Sequence, residues 1–207
     1  MDTAREALQP DRFVLDTDWD GYMKLSDVVG ERPIRVTYDR GRLELMTVSC
    51  EHEQMKSILR SLLEALMEER EIDFLQGGNM TFRRQDLDRG LEPDECYWLK
   101  NWTAMRKVRE YDSLVQPPPD LVLEVDVSRS SIDRIAMFAA LGVPEVWRYR
   151  RSGELEVRVL DEGGRYALVA ASPALGGYEP ARLVDFVADH PDLSTSGLLR
   201  AFRRTLS

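Results

Sequence analysis

Only two cysteines, Cys50 and Cys96, occur in the 207 residues, and neither has a second thiol close by. That excludes a disulfide framework and a CxxC-type zinc cluster as organising devices, and it fits a reducing compartment. No apolar run approaches the roughly 20 residues needed for a membrane-spanning helix. The N-terminal MDTAREALQPDRF has neither the basic start nor the apolar stretch of a secretory leader. These absences predict a soluble, cytoplasmic chain with no membrane partner. Basic residues are also short: 28 Lys and Arg stand against 37 Asp and Glu, a net charge of −9. A protein that coats nucleic acid draws its affinity from Lys and Arg, so the charge counts against that class and not against a local basic groove. Most of the acidic surplus reads as a solubilising surface, although a divalent-metal site would draw on the same residue types. There is no internal repeat and no Gly-rich phosphate loop; Gly77-Gly78 and Gly163-Gly164 sit in turn contexts.

What is present is ordinary globular material, 43% hydrophobic and 31% charged. The length suits one domain over residues 1–207, with a core at roughly 30–170. A short helix is expected at 19–29. Residues 34–38 (IRVTY) and 43–47 (LELMT) read as a hairpin around Asp39-Arg40-Gly41. Ser49 reads as an N-cap, followed by Met55, Leu59, Leu62 and Leu66 at helical spacing, so 51–70 is an amphipathic helix. Short strands at 72–75 and 80–83 are joined by the glycine pair, 86–90 is a polar turn, and 96–99 is a strand. The run LVLEVDV at 121–127 is a central strand covered on both faces. Ser130 reads as the cap of the next helix, with Asp133 reaching back, and Gly142 stands where a helix-terminating glycine belongs. A strand at 146–149, a hairpin at 155–160 and 166–170, and helices at 181–189 and 196–204 complete the chain. The fold class is α/β: a mixed central β-sheet flanked by helices, with an N-terminal hairpin extension and a C-terminal hairpin plus helices.

Within this pattern, charge stands in an unusual place. Glu124 and Asp126 lie two apart on the LVLEVDV strand and share a face, opposite Leu121, Leu123, Val125 and Val127. A carboxylate on a core strand costs several kcal/mol unless it is paired or metal-bound. One solution is a salt bridge to an arginine. The other is a hard cation shared with a second carboxylate, and Asp94, set by Pro93 just before the 96–99 strand, is the candidate. Two carboxylates from neighbouring strands suit Mg2+ or Mn2+, which polarises a phosphodiester and activates water. Asp120, about 13 Å from Glu124 at ~3.3 Å per residue, reads as a strand-start cap. His190 reads as a helix terminus, and Trp147 as core. Tyr97, Trp98 and Trp102 suit either the core or base stacking.

Three segments, Leu91-Glu92-Pro93-Asp94-Glu95-Cys96-Tyr97-Trp98, Pro119-Asp120-Leu121-Val122-Leu123-Glu124-Val125 and Leu141-Gly142-Val143-Pro144-Glu145-Val146-Trp147, fall in the same order and spacing as in one known family. The hairpin Gly41-Arg42-Leu43-Glu44-Leu45-Met46 and Ser49 to His52 match its N-terminal part. The chain thus resembles a large bacterial family of restriction-endonuclease-like proteins (Uma2-type), a branch of the PD-(D/E)XK nuclease superfamily, over residues 13–190. The resemblance implies a restriction-endonuclease-like fold and metal-dependent hydrolysis of nucleic acid, DNA first, with water as nucleophile. It makes Pro93-Asp94 the PD element and Glu124 the acidic residue of the second element. Asp94 and Glu124 would bind Mg2+ (or Mn2+) together with the Val125 carbonyl. It adds Glu44 as an extension of the acidic site and keeps His52 as a candidate. A nuclease that cuts two strands is expected to act as a homodimer, for which the hairpin at 155–170 offers an edge.

The chain departs from the superfamily pattern two residues after Glu124, where Asp126 stands instead of lysine. Relatives supply the lysine from the following helix, eight residues before the terminating glycine; here that position is Arg134. Arginine stabilises charge on phosphate but stays protonated and is no general base. Arg134 therefore has two readings, a phosphate clamp and a counter-ion of Asp126 or Glu124. Lys100 and Lys107 are substitutes without positional support. The alternative to an endonuclease is a nuclease-fold binding or scaffold protein whose site residues form an internal ion-pair cluster.

Overall fold

Arg40 and Gly41 turn the chain with φ of 48° and 89°, the left-handed pair that matches the twist of a two-residue hairpin. They join β2 (Ile34–Asp39) to β3 (Arg42–Thr47), paired from Ile34↔Thr47 to Asp39↔Arg42. β1 (Arg12–Asp16) adds to the far side of β3, and β6 (Arg89–Leu91) pairs with β2 and carries β5 (Phe82–Arg84) outside it. The result is a five-stranded antiparallel sheet in the order β1-β3-β2-β6-β5. Its apolar side packs under helix α1 (Trp19–Val29) through Tyr22, Val29, Val36, Tyr38 and Leu43. The computed structural model describes residues 12–30, 32–126 and 130–206.

The second sheet is mixed and six-stranded. Its order is β11-β10-β9-β8-β7-β4, from β4 (Leu75–Gln76), β7 (Glu95–Trp98), β8 (Leu121–Asp126), β9 (Glu145–Arg150), β10 (Leu155–Leu160) and β11 (Tyr166–Val169). The β8–β9 pair is parallel, and the other pairs are antiparallel. A parallel pair needs a crossover, and helix α4 (Arg134–Ala140) supplies it. Helix α2 (Cys50–Glu69) lies on one face with α5 (Ala181–Ala188) and α6 (Thr195–Leu206); Leu59, Leu62, Leu63 and Leu66 bury against Leu121, Leu123 and Val125. Burying each such side chain is worth about 1.5–3 kcal/mol. On the other face Met137 and Phe138 of α4 pack on Cys96, Trp98, Val122 and Val146. A four-residue helix, α3 (Trp102–Met105), leaves the end of β7.

The α/β class, the mixed sheet and its flanking helices are as the sequence predicts, but several local expectations are corrected. The N-terminal hairpin is the centre of a second sheet, because β1 and β6 extend it on both sides; both strands are short, and their partners lie far along the chain. The strands on either side of the glycine pair do not form a hairpin: β4 joins the six-stranded sheet and β5 the five-stranded one. The cap of α4 is Asp133, whose carboxylate accepts from the Ala136 N–H, and not Ser130. Tyr97 and Trp98 are fully buried, so they pack in the core and do not stack on bases. Val127 lies outside the described residues.

Candidate active site

The antiparallel register sets Glu95 opposite Leu123, so Asp94, one residue earlier, comes abreast of Glu124, one residue later. Both side chains lie on the α4 side of the sheet, where Cys96 and Val122 point. Two hydrogen bonds lock them together. The Asp94 N–H donates to Glu124 Oε1 at 3.1 Å, and the Val125 N–H donates to Asp94 Oδ2 at 2.7 Å. Both carboxylates are buried.

Each carboxylate also has its own arginine. Arg134, on the first turn of α4, grips Glu124 along both edges, Nε to Oε2 at 2.8 Å and Nη2 to Oε1 at 3.0 Å. It also donates to Thr37 Oγ1 at 2.8 Å and to the Glu92 carbonyl at 2.6 Å. Arg35, on β2, donates to Asp94 Oδ1. His52 is buried beside them, its Nε2 3.1 Å and 3.2 Å from the two Asp94 oxygens and 3.2 Å from Arg35 Nη2, while its Nδ1 is 3.2 Å from Glu53. Ser49 fixes it there, because its hydroxyl accepts from the His52 N–H and starts α2 at that point.

The electrostatics follow from this packing. Burial pushes the Asp94 carboxyl up, but Arg35, His52 and the Val125 N–H outweigh it and hold Asp94 well below the ordinary carboxylate range. Burial likewise disfavours charge on Arg134, and Glu124 reverses that and raises its value. The Glu92 carboxyl goes the other way: burial raises it, and Thr81, Arg35 and Arg134 only partly offset the rise.

Glu44 enters from β3. It is buried, and it accepts from Ser130 Oγ at 2.6 Å and from the Ser131 N–H and Oγ, both at 2.7 Å. Arg12 Nε is 4.0 Å away. Since Thr37 pairs with Glu44 and receives Arg134, the acidic residue belongs to the same cluster and holds the chain leading into α4. The site is thus a seam between the two sheets.

All four residues singled out as catalytic in the sequence, Asp94, Glu124, Arg134 and Glu44, come together here. Of the two readings of Arg134, the ion pair with Glu124 is formed; Asp126 takes Arg148 from β9 instead. Lys100 and Lys107 are exposed, and Lys100 follows the far end of β7 from Asp94. Asp120 accepts the Leu99 and Lys100 N–H groups at 2.8 Å and 3.0 Å, as a strand-start cap does. Sequence reasoning passed over Arg35; its one signal is an arginine inside the β-branched run IRVTY. The hard oxygen donors of Asp94, Glu124 and Glu44 fit a divalent cation by their chemistry. Among the described residues, however, no three Asp, Glu, His or Cys side chains converge on one cation position.

The described residues contain no helix long and apolar enough to cross a membrane. A family model described as "Uma2: Putative restriction endonuclease" matches residues 6–188. A crystal structure titled as "a putative nuclease belonging to DUF820 from Anabaena variabilis ATCC 29413" is similar with a TM-score of 0.53 and 14% identity, covering 72% of this chain and 89% of that one. At that identity the likeness concerns the fold. No curated protein matches the chain.

Proposed function

Because the chain belongs to the Uma2 family, described as "Putative restriction endonuclease", we propose that it is a Mg2+- or Mn2+-dependent nuclease that hydrolyses phosphodiester bonds, with DNA as the substrate. The observation that carries this reading is the meeting of Asp94 and Glu124, two buried carboxylates locked to each other's strands by backbone N–H groups. In this reading Asp94 and Glu124 hold the ion. The chemistry it supplies is Lewis-acid polarisation of the phosphodiester and activation of the attacking water.

The chain's own residues do the rest. His52 and the Val125 N–H orient Asp94. Arg134 offers a guanidinium to the negative charge that develops on phosphate. It stays protonated, so it positions and neutralises and does not take up a proton. Glu44 holds Ser130 and Ser131, and with them the chain leading into α4 and the position of Arg134.

A second reading, a nuclease-fold binding protein without turnover, is favoured by two ion pairs. Arg134 already pairs with Glu124, and Asp126 stands in the lysine position and pairs with Arg148. The two readings part on one experiment. Mn2+ or Mg2+ should raise the melting temperature of the parent and not of Asp94→Asn or Glu124→Gln, because a ligand of the folded state stabilises it. Plasmid cleavage lost in the same two variants supports the nuclease. A metal-linked shift without cleavage on any DNA or RNA supports the binding protein, and no shift and no cleavage overturns the metal site.

A further inference from the structure

Three donors already stand on the Asp94 carboxylate, and they reach both of its oxygens. Oδ1 accepts from Arg35, Oδ2 accepts from the Val125 N–H, and His52 Nε2 lies within 3.2 Å of both. A divalent cation approaching this carboxylate meets the positive charge of Arg35 on it, so it binds best when a donor gives way. The backbone N–H is fixed in the sheet and His52 is held by the capped start of α2. Arg35 is the donor that can leave. Its contacts here are Asp94 and His52, whereas Arg134 is fastened to Glu124, Thr37 and the Glu92 carbonyl. Both arginine side chains are 10% exposed, so the smaller number of partners is what singles out Arg35.

Charge points the same way. Three buried carboxylates, Asp94, Glu124 and Glu44, face two guanidinium groups, Arg35 and Arg134. The guanidinium groups already meet most of the carboxylate charge, so a divalent ion added with both in place would leave excess positive charge in a buried volume. Moving Arg35 onto an incoming phosphate restores the balance. A guanidinium fork binds phosphate as well as carboxylate, often in the same two-pronged geometry.

We propose that Arg35 is an exchangeable counter-ion: it occupies Asp94 while the site lacks substrate and transfers to a phosphate of the bound nucleic acid, which frees Asp94 for the divalent cation. This rests on the metal-site reading above. Its consequence is that nucleic acid and cation strengthen each other's binding, by the same factor in both directions.

The test measures the Mn2+ affinity of the full chain by calorimetry and by the electron paramagnetic resonance of free Mn2+, with and without a short phosphorothioate DNA duplex. The parent should bind Mn2+ more tightly when the duplex is present, on the order of tenfold, a common size for such coupling. Arg35→Gln should bind Mn2+ more tightly than the parent without duplex and gain little from it, and Arg35→Lys should restore part of the coupling. Mn2+ binding that is lost in Asp94→Asn yet unaffected by the duplex overturns the role of Arg35 and leaves the metal site standing. The role of Arg35 is overturned in the same way if a folded Arg35→Gln binds Mn2+ no better than the parent. Failure of the parent to bind Mn2+ under either condition overturns the metal site itself. The comparison within the parent decides even if Arg35→Gln does not fold.

Discussion

Arg134 binds Glu124 through two parallel contacts, Nε to Oε2 at 2.8 Å and Nη2 to Oε1 at 3.0 Å, in a part of the molecule where both side chains are at least nine-tenths buried. A pair in that setting gains little over two apolar residues, but losing one partner strands a buried charge. Arg134→Met should therefore cost about 3–5 kcal/mol. The double variant Arg134→Met with Glu124→Gln should cost less than the two single losses added together. Urea denaturation of the four proteins, run with a chelator, measures this coupling.

Glu44 acts at longer range, linking β3 to the residues before α4. Glu44→Ala leaves the Ser131 N–H and the hydroxyls of Ser130 and Ser131 without their acceptor. A loss of about 1–3 kcal/mol is expected from buried donors left unmade. Amide hydrogen exchange at Ser131 should accelerate while the amides of β8 keep their protection. Equal acceleration in β8 would mean that Glu44 holds the whole sheet and not this segment.

Much of this arrangement is legible in the amino-acid sequence. The strand LVLEVDV announces its place by burying apolar residues on both faces, and the carboxylate at Glu124 stands out because nothing local neutralises it. The spacing of Leu59, Leu62 and Leu66 fixes the face of α2. The sequence is silent where pairing is not local. β1 and β6 are three- to five-residue strands whose partners lie far along the chain, so the second sheet has no periodic signature. Arg35 sits on a half-buried strand, where an arginine ordinarily reaches for water. Its target is 59 residues away, and only the register of two sheets brings the pair together.

The turn that carries β2 toward this seam is fastened by Asp39, which accepts from Arg40 Nε at 3.1 Å and from Arg89 Nε at 2.8 Å. Burial pushes its carboxyl up, but the two arginines prevail and lower it below the ordinary value. A depressed native value means that the contribution to stability is complete above the unfolded-state value, about 3.9, and is lost as the pH falls from there through the native one. Acid titration of stability should thus be less steep below about pH 4 in Asp39→Asn than in the parent. The difference should be small, since partly exposed pairs of this kind contribute about 0–1 kcal/mol.

Gly77 tests how closely β7 is held. A Cβ at that position would meet Trp98 Cζ3 at 2.5 Å and Cys96 Sγ at 2.6 Å, both on the strand that follows Asp94. The Gly77 N–H also donates to the Cys96 carbonyl at 2.8 Å, so the backbone has little room to retreat. Gly77→Ala should cost about 1–3 kcal/mol, as overpacking does. Tryptophan fluorescence should shift with it, because Trp98 must move. A variant as stable as the parent would show that β4 swings away freely.

Asp126 stands where the superfamily pattern has lysine, and its charge is committed to Arg148 of β9. Arg148 is also the register neighbour of Glu124, so it projects beside the carboxylate cluster on the same face. The pair is about three-quarters buried on both sides, with 27% of the arginine and 25% of the aspartate side chain exposed. If nucleic acid approaches over the cluster, the two residues should act in opposite directions. Arg148→Ala removes a cation and should weaken binding, and the slope of log affinity against log salt should fall by about one. Asp126→Ala removes the competing anion and should strengthen binding, provided that Arg148 is intact. The double variant should resemble Arg148→Ala alone, since without the arginine there is no cation for Asp126 to mask. Fluorescence anisotropy with a labelled duplex, titrated at several salt concentrations, measures all three. Identical salt slopes in the parent and Arg148→Ala would place the phosphate path away from this end of β8.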